Sequence, residues 1–286
     1  MDIHYWLIQA FNGISYGALL FLVGSGLSLI FGVMRIVNLA HGSYFLLGGY
    51  VALTVIWTTG SWVLAIPAAA IAIGVIGLVM ERVFLRPLGF DPLRQVLLTV
   101  GFAFLFQQAA LDIWTGNNFD IDPPAVLAKS VQIGGIFFPL YRVFMIVTAA
   151  AIGLGLWLAM EKTRIGAMVR ATVDDAEMAR GIGIDTSRIS MFIFALGAFL
   201  AALGGVIGGA FFGVYPGLDF EMLPLAFAVV IIGGMGSLGG AAIGAILVGL
   251  ADNFGKALFP EVSYFTLYAP MALILAVKPT GLFGRE

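Results

Sequence analysis

The sequence predicts an all-α, polytopic integral membrane protein, and three observations carry that prediction. Of 286 residues, 61% are hydrophobic and only 10% are charged, against roughly a quarter charged in a water-soluble domain. Four stretches, 3–34, 36–80, 189–218 and 222–251, contain no Asp, Glu, Lys or Arg. Glycine is abundant at 38 residues, a habit of helices that pack closely in lipid. With mean hydropathy at +1.05, a cytosolic enzyme and a disordered chain are excluded. The net charge of -2 leaves no basic face for a nucleic acid. Cysteine is absent, which removes disulfides, thiolate metal sites and a Cys nucleophile.

A spanning helix needs about 20 predominantly apolar residues. On that measure helices are expected at 6–31, 40–57, 62–84, 95–115, 141–160, 190–213 and 262–277, within one transmembrane domain over 1–286. The first lacks a basic leader and holds Asn12 and Ser15, so it reads as an uncleaved helix and not a signal peptide. The long stretch 36–80 divides at 58–62, where Thr, Gly, Ser and Trp suggest an interfacial turn. In the helix at 190–213, Gly197, Ala201, Gly205, Gly209 and Gly213 recur at every fourth position and mark a close-packing face, within the chain or towards a partner.

Orientation follows the Lys/Arg bias. Arg35, then Arg82, Arg86 and Arg94, then Lys162, Arg164, Arg170, Arg180 and Arg188 fall in alternate connections. The intervening ones hold Asp120, Asp122, Asp219 and Glu221. The N-terminus is therefore expected outside, with the connections 32–39, 82–94 and 161–189 and the C-terminus, with Lys278, in the cytoplasm. The segment 222–255 must then enter and return. Its centre, GGMGSLGGA at 233–241, is a poor helix interior, because Gly costs about 1 kcal/mol there relative to Ala. Two short helices or a re-entrant pair joined at Gly233, Gly234, Gly236 and Ser237 are expected, either as a tight packing hairpin or as the lining of a path. The expected fold has about eight helices, with a glycine-broken pair near 222–255 and a cytoplasmic coupling helix.

No GxxxxGK[ST] sequence is present for nucleotide binding. The two histidines are His4 and His41, and Asp112 and Asp252 lie towards span ends. Buried carboxylates or His relays of the kind coupled carriers use are not evident. The conspicuous soluble feature is 161–190, EKTRIGAMVRATVDDAEMARGIGIDTSRIS. Its Ala and Met residues favour one short helix, which Gly181 and Gly183 end and turn. It is either a solvated loop or a helix that sits in a groove of another protein.

At this loop the residues resemble a known family. The stretches FNGISYGALLFLVGSGLSLIFGVMRIVNLAHG (11–42), ERVFLRPLG (81–89), RIGAMVRATVDDAEMARGIGIDTSRI (164–189), FGVYPGLDF (212–220), GGMGSLGGAAIG (233–244) and KPTGLFG (278–284) run in family order over nearly the whole chain. They are similar to the LivH type of the branched-chain amino acid permeases. The resemblance implies an inner-membrane subunit that forms half the channel of an ABC importer for branched-chain or other hydrophobic amino acids. It implies a second permease of the LivM type, two cytoplasmic ATPases that hold ATP and Mg, and a periplasmic substrate-binding protein. No cofactor is implied in this chain itself, and surrounding lipid is its other partner. Residues matching the family's ATPase-coupling segment are Arg170, Ala171, Asp174, Asp175, Ala176, Ala179, Gly181 and Gly183. Asn38, His41 and Gly42 match another family motif, read either as a cap on the second helix or as a polar gate. The binding protein is expected on 119–131 and 215–221. Leu225 and Gly239 depart from the family pattern, where Lys and Pro are frequent. Similar permeases carry urea, amides or aromatic acids, so those substrates stay open, as does a self-sufficient carrier.

Overall fold

In a computed structural model, described over residues 3–89, 91–133 and 135–284, one long helix, α1 (Ile3–Met34), is packed by α5, α8, α9 and α10, and α2 and α3 pack on α8. The chain continues through α2 (His41–Thr59) and α3 (Trp62–Val79). A π-helical turn (Met80–Leu85) and a 3-10 turn (Arg86–Leu88) prolong α3, and α4 is Pro92–Trp114. A short antiparallel hairpin, β1 (Ser130–Ile133) with β2 (Ile136–Pro139), precedes α5 (Leu140–Lys162). Two short helices follow, α6 (Arg164–Asp174) and α7 (Ala176–Gly181), then α8 (Thr186–Phe212). The chain ends in α9 (Leu218–Gly233), α10 (Leu238–Leu258) and α11 (Ser263–Val277). Among the described residues, six helical runs, including 62–88 taken as one, are long and apolar enough to cross a membrane.

Lipid offers helices no hydrophobic reason to associate, so close backbone approach and dispersion do the work. α10 lies antiparallel along α1, with Gly17 of α1 against Ala245 and Gly249 against Gly13. The small-residue face of α8 packs inside the chain: Gly197 lies on Gly26 of α1, and Gly205 on Phe45 and Gly49 of α2. By contrast α3, α4 and α5 turn Val63, Ile71, Leu97, Leu105, Val147 and Leu154 outward, a surface suited to acyl chains.

Helix starts are written locally. Ser61, Asp91, Thr163, Asp175, Asp185 and Ser237 each accept a hydrogen bond from a backbone N–H of the helix they begin. The turn expected at 58–62 is present, with Gly60 left-handed at φ 69°.

Several expectations need correction. The helix expected to stop at 84 continues to Leu88, because the chain winds through a π turn instead of ending. The hairpin escaped notice because each strand has only four residues. The single cytoplasmic helix is two. Asp175 sits extended at φ -153°, and its carboxylate accepts from Glu177 N and Met178 N, both at 2.9 Å, so it starts a new helix where propensity alone would continue the old one. The glycine break joins α9 to α10 at 234–237, while Gly239 and Gly240 lie within the first turn of α10. The connection 32–39 is no surface loop, since Ile36, Asn38 and Ala40 are buried. Carboxylates are also buried: Glu81 pairs with Arg86, Asp219 with Ser43, and Asp252 with Lys256 at 2.7 Å.

Candidate functional site

α1 ends at Met34, and Arg35 turns left-handed at φ 54°, a conformation that costs a non-glycine residue about 1 kcal/mol. The chain then climbs back into the bundle instead of leaving it. Leu39 N donates to Thr99 Oγ1 of α4 at 3.2 Å. Asn38 shapes the turn before α2, its Oδ1 accepting from Ala40 N at 3.1 Å and its carbonyl from His41 N at 3.3 Å, but the expected side-chain cap is not made, since Ala40 is the N-cap. His41 does not cap α2. Its Nε2 meets the Val23 carbonyl at 2.9 Å, and because a carbonyl only accepts, Nε2 carries the proton and Nδ1 presents a bare lone pair. Val23 lies about 11 residues before the end of α1, roughly 16 Å at 1.5 Å per residue, near the midplane of a core about 30 Å thick. α2 thus begins at membrane depth.

α9 starts against this break. Ser43 Oγ donates to Asp219 Oδ2 at 3.1 Å. Gly42 lies under the Asp219 carbonyl so closely that a Cβ would collide with it. Asp219 was expected in an outer connection and is instead 2% exposed. An acid in the first turn of a helix is ordinary, so nothing local distinguishes it from a surface anion. Among the described residues, Asn38 Nδ2, His41 Nδ1, Tyr50 Oη and Asp219 Oδ1 are buried without a well-aligned hydrogen bond, although the Tyr44 hydroxyl lies within reach of Asn38 and the Phe220 N–H within reach of the Asp219 carboxylate. All four belong to the start of α2, to α2 itself or to the start of α9. Each such atom costs about 1–3 kcal/mol, and more where lipid surrounds the bundle. Three of them, on Asn38, His41 and Asp219, lie around the break, and Tyr50 lies farther along α2 against Trp114, so the break has polar capacity that the protein does not fully use.

The glycine turn lies elsewhere. Gly234 and Gly236 take φ 102° and 82°, as a reversal this tight requires. Ser237 Oγ accepts from Gly240 N at 3.0 Å, and Gly236 rests on Gly32 near the Met34 end of α1. Gly233 packs on Gly240. The two groups of candidate path residues are therefore not brought together. Asn38, His41 and Gly42 sit at depth, Gly233, Gly234, Gly236 and Ser237 at one end, and α9 runs between them over roughly 24 Å. The segment 278–284 closes that end: Leu282 N donates to the Ile232 carbonyl at 2.9 Å and Phe283 N to the Gly233 carbonyl at 3.0 Å. These are carbonyls a helix leaves free at its C-terminus.

At the same end, α6 and α7 form an angled pair. Arg170 Nη1 donates to the Met160 carbonyl and lies 3.9 Å from Glu161, tying α6 to α5. Ala171 and Ala176 are half-buried and Ala179 is buried. Asp174, Asp175, Gly181 and Gly183 are exposed, and Gly183 turns the chain at φ 91°. Met178 and Ile182 are 65% and 70% exposed, which leaves an apolar tip between charges. At the other end, the connections expected to face a binding protein meet in a bridge, Phe119 N to Val214 O at 3.0 Å and Val214 N to Phe119 O at 2.8 Å.

A helical bundle with discontinuous helices meeting at membrane depth, and a capped helix pair projecting from one end, defines a multi-pass transport subunit, a permease. Residues 9–275 match the family described as branched-chain amino acid transport system, permease component, and the chain belongs to that family. It is 29% identical to the high-affinity branched-chain amino acid transport system permease protein BraD of Pseudomonas aeruginosa, covering 99% of this chain and 97% of that one. It is 31% identical to LivH of Salmonella typhimurium and 30% identical to LivH of Escherichia coli, in each case over 98% of this chain and 96% of the relative. The chain is a non-catalytic membrane subunit of an ABC transporter, a class that works with ATPase and substrate-binding partners. Family membership, and not a lack of buried carboxylates, now argues against a self-sufficient carrier, since Asp219 is such a carboxylate.

Proposed function

We propose that this chain forms half of the translocation path of an importer for branched-chain or other hydrophobic amino acids in a bacterial inner membrane. The observation that carries the reading is the α2 break packed on Asp219. Irregular backbone at membrane depth is tolerated where it is buried in protein or lines a path, and the incompletely satisfied polar atoms of Asn38, His41 and Asp219 there suit an intermittently wetted passage. The side chains around it, Tyr44, Phe106 and Leu223, are mostly apolar, in keeping with an aliphatic solute. The relatives' names supply the solute class.

The second half of the path is a homologous permease of the LivM type. One of two ATPases docks on α6 and α7, the two together bring ATP and Mg, and this chain holds no cofactor of its own. The apolar tip Met178–Ile182, ringed by Asp174, Asp175, Glu177 and Arg180, suits a groove in such a partner. A periplasmic binding protein docks where 119 and 214 bridge. Arg35, Arg86, Arg188 and Lys278 belong to segments that share one end of the bundle, which supports a cytoplasmic C-terminus and an N-terminus outside.

The test is a mild-detergent pull-down at native expression, followed by uptake of labelled leucine into vesicles holding the purified assembly. A second permease, two ATPases and ATP-dependent uptake are expected. A chain that comes down alone and transports without ATP would sink the reading.

A further inference from the structure

Helix α3 does not end as a simple helix. Its last turn is π-wound, with Arg86 N bonded to the Glu81 carbonyl five residues back. Single π turns are uncommon and gather at functional sites. Glu81 is buried within this turn, and Arg86 holds it through three contacts: Nε to Oε1 at 3.3 Å, Nη2 to Oε1 at 3.3 Å and Nη2 to Oε2 at 3.0 Å. In an α-helix, at 3.6 residues per turn, residues five apart point about 140° away from each other. The wider π winding brings them to one side. The ion pair and the π turn therefore stand or fall together, and rewinding the turn to α geometry separates the charges by rotating one of them off the shared face.

Both ends of this element are tied to regions already described. Arg86 Nη2 also donates to the Ser187 carbonyl at 3.0 Å. Ser187 lies in the first turn of α8, five residues after the exposed Ile182. On the other side, Met80 precedes Glu81 in the chain, and its Sδ accepts from Tyr44 Oη at 2.8 Å. Tyr44 is fully buried one turn into α2, and its N donates to the Ala40 carbonyl at 3.2 Å. The route from the projecting helix pair to the membrane-depth break is thus continuous: α7, Ser187, Arg86 with Glu81, Met80, Tyr44, then Asn38 to Ser43 and Asp219. Of its members, the π turn is the one whose winding differs from the ordinary α turn its neighbours take, and rewinding it would supply the second arrangement that a coupling route requires beyond mere adjacency.

We propose that the Glu81–Arg86 pair, held in the π turn at the end of α3, is a positioning link that converts movement of α6 and α7 into displacement of the α2 break. It rests on the reading of the chain as an ATP-driven permease. The pair touches neither solute nor nucleotide. Movement at Ser187 pulls Arg86, the π turn rewinds, and Met80 shifts against the Tyr44 hydroxyl.

The experiment uses the complete transporter in vesicles and reads leucine uptake, ATP hydrolysis and their ratio. Glu81→Gln keeps the shape and a neutral acceptor, so Arg86 is not left facing a cavity. Arg86→Lys keeps the charge and removes the fork that reaches both Glu81 and Ser187. Both are expected to assemble with their partners and to keep basal ATP hydrolysis within twofold, while solute moved per ATP falls at least tenfold. Exchanging the two residues, Glu81→Arg with Arg86→Glu, is expected to recover at least a third of the wild-type ratio. An unchanged ratio in both single variants overturns the link. So does a parallel fall of uptake and hydrolysis with the ratio preserved, the signature of a merely structural pair. Wild-type uptake that ignores ATP would instead overturn the importer reading beneath it.

Discussion

Gly42→Ala isolates the contact between α2 and α9. Gly42 is helical and has ordinary dihedrals, so Ala favours the helix by about 1 kcal/mol on intrinsic propensity. Space acts in the opposite direction. A Cβ at residue 42 would overlap the Asp219 carbonyl oxygen and lie 3.1 Å from both the Asp219 carbonyl carbon and Leu223 Cβ. Neither backbone atom can swing aside as a flexible side chain does, so α9 must retreat by roughly 1 Å, which forfeits a quarter to a half of the dispersion across the contact. Overpacking of this kind costs about 1–3 kcal/mol. The same retreat stretches the Ser43–Asp219 hydrogen bond from 3.1 Å to about 4 Å, beyond bonding distance. A bond to a charged group is worth about 1.5–3 kcal/mol. The net expectation is a loss of about 1.5 to 5 kcal/mol despite the helix-favouring residue. The assay is thermal unfolding of the purified assembly in detergent, where a drop of roughly 5 °C or more is expected, with leucine uptake measured alongside and expected to fall about tenfold. A variant that melts at or above the wild-type temperature and transports normally would refute the argument, because propensity would then have outweighed the clash and α9 would not be seated on α2 as described.

Two further outcomes follow from the same geometry. Met178→Asp with Ile182→Asp places two charges on the exposed apolar tip without touching a buried side chain. Recovery of ATPase subunits in a pull-down should fall at least tenfold while melting of this subunit stays unchanged, and undiminished recovery would place the docking face elsewhere. Truncation after Val277 frees the Ile232 and Gly233 carbonyls that Leu282 N and Phe283 N now satisfy, at about 0.5–1.5 kcal/mol for each bond. A melting temperature lowered by several degrees is expected, and an unaltered one would show that the end of α9 is held by other means.

The sequence by itself determined the membrane class, five of the six long apolar runs found among the described residues and the approximate starts of their helices, while α10, expected as one of two short helices, runs 21 residues. Each of these depends on neighbours in the chain: runs without charge, Asp or Ser just ahead of a helix, glycine where the backbone must turn. The position of the interfacial turn near Gly60 and of the reversal near Gly234 and Gly236 was legible for the same reason. The family resemblance was legible because its motifs are contiguous strings, and the family model and the relatives match over nearly the whole chain.

Only the tertiary structure decided the chemistry of the centre. Asp219 is an unremarkable first-turn acid until Ser43, distant in sequence, is found 3.1 Å away. His41 suggested a cap on its own helix and instead reaches a carbonyl on α1. Glu81 and Arg86 are five apart, off-phase for an α-helix, and become partners through a π turn that no local propensity announces. Hydropathy measures transfer of a segment into lipid and is blind to where the chain folds back at depth. Burial of a polar group depends on which other elements surround it, and that is fixed by packing between segments far apart in the chain.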